Sequence, residues 1–296
     1  MKKFLKFIAI LVLVITICFS GWFGSSQVAK IRGRNQNNKP ADITIQNPTI
    51  TFIGDSLTNG YYSDANLHAD SYGYRQIVTE TTRAHAFNFS VGGYTSVEVL
   101  EQLQDNVTIG ETNQVILAKN KQNPELTNLY GNTADPMTIE EAIRQSDYVI
   151  STLGANDVMN EILIYNEDGS FEIDKKNLRS GLTNIYNRKI DIYRQINAIN
   201  PDCKIIDVGM YMAYPHISDA FTLGMYPVLV YTEGKIFIED PEINTSKVIV
   251  RDNIQADIKT YIDNPDDIHP SQEGYEVIAN EVLKHMQSLE DEKSTS

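Results

Sequence analysis

Residues 49–60 read TITFIGDSLTNG, a short β-branched run closed by Gly54 and followed at once by Asp55, Ser56 and a second glycine at Gly60. A run of this composition bounded by turn residues predicts a strand. Working outward, similar runs recur as AFNFSVG (86–92), DYVISTLG (147–154) and KIIDVGM (204–210), with helical candidates between them at 72–83, 94–104, 138–146 and 175–199. Strand then helix, repeated, predicts crossover connections and an α/β fold whose parallel sheet is covered on both faces. The clearest helix is the last one, where Tyr275, Ile278, Ala279, Val282, Leu283, Met286 and Leu289 recur at three and four, and Ser271 after Pro270 is placed to cap it. A fifth strand is expected near 247–251. Two segments, ILIYNEDGSFEID (162–174) and VLVYTEGKIFIED (228–240), place alternating β-formers around a glycine-containing turn and read as inserted hairpins. The stretch 105–137 is polar and shows little period.

The ends of the chain are of another kind. MKKFLKF and the uncharged residues 7–24 form the pattern of a signal peptide or signal anchor, and at about 1.5 Å per residue the run just spans a bilayer core. Gly24-Ser25-Ser26 offers no strong cleavage site, and Ile17 ahead of Cys18 does not suit a lipoprotein signal, so an uncleaved anchor with the body outside the cytoplasm is the favoured expectation. Residues 25–47 are a polar linker, 48–290 the folded domain and 291–296 a polar tail. The 296 residues carry a net charge of −14 with 42% hydrophobic content, which favours a packed domain and argues against nucleic acid as a partner. With Cys203 the one cysteine beyond the apolar run, neither a disulfide within the domain nor a zinc set is expected.

In an open parallel sheet, ligands gather at the carboxyl ends of the strands. The first three strands run directly into Gly54-Asp55-Ser56, Ser90-Val91-Gly92-Gly93 and Gly154-Ala155-Asn156-Asp157, and Asp266-Asp267-Ile268-His269-Pro270 leads into the last helix. A serine, a glycine amide, an asparagine amide and a carboxylate–histidine pair are the parts that acyl transfer requires. The other histidines, His68, His85, His216 and His285, have no carboxylate at a helpful spacing and are read as surface or core residues. Phosphate-loop, dinucleotide and HExxH motifs are absent, so no metal and no organic cofactor is expected, and the serine is not in a GxSxG elbow.

In order and spacing, GDSLTNG (54–60), NFSVGG (88–93), GAND (154–157) and DDIHP (266–270) resemble the four sequence blocks of the SGNH or GDSL hydrolases, a family of lipases and esterases. The resemblance covers about 48–289 and implies a three-layer α/β/α, flavodoxin-like sandwich. It also implies Ser56 as nucleophile, Asp266 and His269 as the rest of a triad, and Ser56, Gly93 and Asn156 as oxyanion donors. The implied activity is hydrolysis of a carboxylic ester through an acyl-serine, an acyl lipid being favoured by the apolar run from Tyr211 to Tyr226 and by the hairpins. An O-acetyl esterase or acyltransferase on cell-wall glycans stays open, as does a membrane-anchored binding protein with a vestigial triad. Each motif also has a plain structural reading. Gly-Asp-Ser forms turns, Gly92-Gly93 relieves crowding, Asn156 caps a loop, His269 starts a helix, and Asp157 is assigned to bonding loop amides.

Overall fold

The computed structural model describes residues 43–60, 73–119, 135–165, 171–211, 219–262 and 268–295. Among the described residues there are seven strands, β1 (Thr49–Gly54), β2 (His85–Asn88), β3 (Tyr148–Thr152), β4 (Leu163–Tyr165), β5 (Phe171–Ile173), β6 (Lys204–Val208) and β7 (Thr245–Val248). The helices are α1 (Ser56–Asn59), α2 (Tyr74–Thr82), α3 (Ser96–Gln104), α4 (Ile109–Lys119), α5 (Ile139–Arg144), α6 (Ala155–Glu161), α7 (Leu178–Ile199), α8 (Asp219–Ile236), α9 (Arg251–Ala256), α10 (Ile258–Tyr261) and α11 (Gln272–Thr295).

Five strands form one sheet in the order β2-β1-β3-β6-β7, and every neighbouring pair is parallel. This is the flavodoxin order, whose direction of winding reverses between β1 and β3. Alternate side chains feed two cores. Ile50 and Phe52 of β1, Tyr148 and Ile150 of β3, and Ile206 and Val208 of β6 pack under α2, α9 and α11. Ile53, Val149 and Ile205 pack on the other face under α3, α5 and α7. The expected three-layer α/β/α sandwich is therefore present, and the winding reverses between β1 and β3, the place at which sheets of this kind bind ligands beyond the carboxyl ends of their strands. The predicted fifth strand is β7, two residues earlier than expected. Ser271 does cap α11, its Oγ accepting from the Gly274 N–H at 3.2 Å.

Of the two expected hairpins, one exists, with β4 and β5 paired antiparallel. Residues 228–236 of the second segment are instead the end of helix α8, and 237–240 follow it as a non-helical connection. Its alternation hides a helical period, since Thr232, Glu233 and Ile236 are buried and Leu229 packs into the same apolar cluster as Ile236. Gly234, which reads as a turn, is a helix glycine whose Cβ would meet nothing within 4 Å. In the stretch 105–137, α4 buries Ile116 against Val91 next to the Gly92-Gly93 turn. Among the described residues no helix is long and apolar enough to cross a membrane. The signal or anchor segment lies outside them.

Candidate active site

Gly54 ends β1 with φ +126°, and a Cβ there would run into the Thr152 carbonyl of β3. Only glycine permits that approach together with that φ. The chain then turns into α1, where the Asp55 carboxylate accepts from the Leu57 N–H at 3.0 Å as N-cap and leaves Ser56 at the first helical position. Ser56 is 8% exposed, and its Oγ lies 2.8 Å from His269 Nε2. The structure thus joins two residues 213 positions apart in sequence.

A run of buried hydroxyls supports this corner. Thr152 Oγ1 donates to Asp55 Oδ1 at 2.7 Å, so its own acceptor side faces Thr58 Oγ1 at 2.6 Å, and Thr58 in turn meets the Tyr74 hydroxyl at 2.7 Å. With one proton per hydroxyl, all three bonds must run towards Asp55. Burial raises the Asp55 carboxyl to about 6, opposed by the bonds from Thr152 and the Leu57 N–H and by the nearby His269. Burial also pushes the Tyr74 phenol up. Asp55 stands in the first motif without an assigned role and Tyr74 in none of the motifs, because what sets both groups apart is burial, which a short motif does not display.

The Gly92-Gly93 segment is a turn closed by the Tyr94 N–H donating to Val91 O at 3.1 Å, with Gly93 at φ +78°. That is the third position of a type II turn, where positive φ is required. Gly93 is solvent-exposed. Asn156, in the first turn of α6, donates from Nδ2 to Tyr94 O at 2.9 Å, which ties the β3–α6 turn to the Gly93 turn. An amide carries two N–H groups, so this bond fixes the side chain while leaving a second donor. Asp157 is fully buried and accepts from the Ser96 N–H at 3.0 and 3.1 Å, the backbone-amide role expected of it. Asp266 and Asp267 lie outside the described residues. Of the remaining histidines, His85 is exposed on edge strand β2, and His285 is half-buried 2.8 Å from Ser246 Oγ. His68 and His216 lie outside the described residues. Among the described residues no cluster of His, Cys, Asp and Glu is arranged to hold a metal.

A hydroxyl bonded to an imidazole nitrogen, at the switch point of a parallel sheet and beside two segments rich in fixed N–H donors, is the equipment of a serine ester hydrolase. Residues 50–282 match the family profile described as GDSL-like Lipase/Acylhydrolase, and the chain belongs to that family. Among solved structures it is similar to the lipase Lip_vut3 from a goat rumen metagenome, with 16% identity over 82% of this chain and 98% of that one and a TM-score of 0.53. It is also similar to a member of the lipolytic G-D-S-L family from Veillonella parvula, with 14% identity over 79% and 96% of the two chains and a TM-score of 0.47. An acetyl xylan esterase from Butyrivibrio proteoclasticus matches with 19% identity over 84% and 66% and a TM-score of 0.45. No curated protein matches the chain.

Proposed function

We propose that the protein is an extracytoplasmic carboxylic ester hydrolase working through an acyl-Ser56 intermediate. The observation that carries this reading is the 2.8 Å separation of His269 Nε2 and Ser56 Oγ. In the proposed cycle His269 takes the Ser56 proton as Oγ attacks the ester carbonyl, then returns it to the leaving alkoxide, and a water repeats the sequence on the acyl-enzyme. Asp266 holds the imidazole tautomer. The Ser56 and Gly93 N–H groups and the Asn156 amide receive the negative oxygen of the tetrahedral intermediate, each such donor being worth about 3 to 4 kcal/mol of barrier. Hydrolysis of p-nitrophenyl esters by wild type, Ser56→Ala and His269→Ala tests this. Each variant is expected to lose at least about 10³-fold in kcat. Wild-type turnover in Ser56→Ala contradicts the reading.

An acyl-lipid ester is the favoured substrate. Ile164 and Tyr165 on the hairpin, 41% and 53% exposed, supply apolar surface on an insertion that comes directly after α6. Preference for acetyl esters, or transfer of the acyl group to an added glycan alcohol in place of water, would replace this substrate and leave the Ser56 chemistry intact. For location, the uncharged run 7–24 after three lysines supports an anchor with the domain outside. Protease added to intact cells should remove the domain, and protection of the domain would contradict the placement.

A further inference from the structure

Four side chains behind the Gly93 and Asn156 turns form a bonded set that none of the sequence blocks contains as a whole. Arg188 on α7 donates from Nε to Ser96 Oγ at 2.8 Å and from Nη2 to Asp157 Oδ1 at 3.2 Å, and it also pairs with Glu161. Ser96 Oγ donates to Asp157, so the single hydroxyl is a donor to the carboxylate and an acceptor from the guanidinium. Ser96 stands at the start of α3, two residues after the Tyr94 whose carbonyl holds Asn156, and Asp157 directly follows Asn156. Two cross-links, Asn156 to Tyr94 and Asp157 to Ser96, therefore run side by side between the two turns.

The neighbouring residue on α7 reaches the other end of the same turn. Lys189 Nζ, fully buried, donates to Leu153 O at 2.9 Å and to Asp207 Oδ1 at 3.0 Å, and lies 3.7 Å from the centroid of the Phe237 ring. Helix α7 so grips the β3–α6 connection at Leu153 and at Asp157. A planar guanidinium suits the Asp157 end because its donors leave in fixed directions, which a lysine ammonium on a flexible stem cannot reproduce.

We propose that Arg188, acting through Asp157 and Ser96, is a positioning residue for the hydrolytic reaction, fixing the spacing between the Gly93 N–H and the Asn156 amide. The inference rests on the reading of those two groups as oxyanion donors. Donors preorganised at the site of developing charge lower the barrier, and a misplacement of about 1 Å can cost on the order of 10²-fold. Arg188 itself touches no reacting atom, so its loss acts on the transition state and spares substrate binding.

The test compares wild type with Arg188→Lys, Arg188→Met, Ser96→Ala and Ser56→Ala on one p-nitrophenyl ester, with folded active sites counted by fluorophosphonate titration. Inhibition by an alkyl boronic acid, whose serine adduct is tetrahedral, is measured alongside. Expected are a fall in kcat per titrated site of about 10- to 100-fold for both Arg188 variants and a smaller fall, about 3- to 10-fold, for Ser96→Ala. KM should stay within about twofold while boronate inhibition weakens in step with kcat. If Arg188 only stabilises the fold, fewer sites titrate but each keeps wild-type kcat, and that result overturns the proposal. Full kcat per site in Arg188→Lys and Ser96→Ala, with Ser56→Ala inactive, overturns it while sparing the assignment of Ser56. Wild-type turnover in Ser56→Ala overturns both.

Discussion

Burial holds the Asp55 carboxyl at about 6, directly before the proposed nucleophile, although two hydrogen bonds and His269 favour its charged form. Because the folded value lies above the unfolded one of 3.8, the folded state binds the proton more tightly. Stability is therefore greatest below the unfolded value and is lost as pH rises through about 6, by on the order of 3 kcal/mol. Asn at this position keeps an oxygen for the Leu57 N–H and the Thr152 hydroxyl but carries no charge. Urea denaturation of Asp55→Asn should thus show a gain over wild type at pH 8 that shrinks towards pH 4, while esterase activity falls because the negative charge near His269 is gone. Equal stabilisation at both pH values would contradict the assignment of this shift to burial. For the orienting carboxylate, Asp266→Asn should cut kcat by about 10⁴-fold and Asp267→Asn should change it little, and the reverse ranking would exchange their roles. The Ser56–His269 contact and the turns that carry Gly93 and Asn156 are legible in sequence because each of these residues sits in a short motif tied to the end of a strand or the start of a helix. Arg188 and Lys189 are not. Their partners Asp157 and Asp207 lie 31 and 18 positions away, and packing alone brings them together.

At the scale of elements, β-branched runs and the stripe of α11 are readable because each has one period over its whole length. Helix α8 imitates a hairpin because Val228, Val230, Ile236 and Ile238 alternate as strands do, while Leu229, Thr232, Glu233 and Ile236 keep the helix period. Helix α4 carries a readable signal in Thr108 and Glu111, which bond each other's backbone N–H at 3.1 and 2.7 Å as a capping box. With one hairpin present in place of two, the exposed large apolar side chains of these two segments are Ile164 and Tyr165 of β4 and Val230 and Tyr231 of α8. If this surface receives an acyl chain, kcat/KM should rise from acetyl to medium-chain esters at up to about 0.8 kcal/mol per buried CH₂. Replacing Ile164 and Tyr165 together by Ser should flatten that series and spare acetyl ester turnover. A series that is flat in the wild type contradicts the lipid reading.

For the whole molecule, the strand order does most to place the chemistry. It brings the carboxyl ends of β1 and β3, nearly a hundred residues apart in sequence, side by side at the reversal of winding, so that Gly54-Asp55-Ser56 and Gly154-Ala155-Asn156 leave the sheet from neighbouring strands. The alternation of strands and helices foretells a parallel sheet. The order of its strands comes from the family resemblance, since periodicity records which segments pair with helices and not which strands lie side by side. Covalent capture is the sharpest test of Ser56 as the nucleophile of this assembly. A fluorophosphonate incubated with the folded protein should label one residue, mapped by mass spectrometry to the tryptic peptide containing Ser56, with loss of esterase activity in proportion to labelling and no label in Ser56→Ala. Activity lost through labelling of any other residue, or an active protein that takes no label, would contradict it.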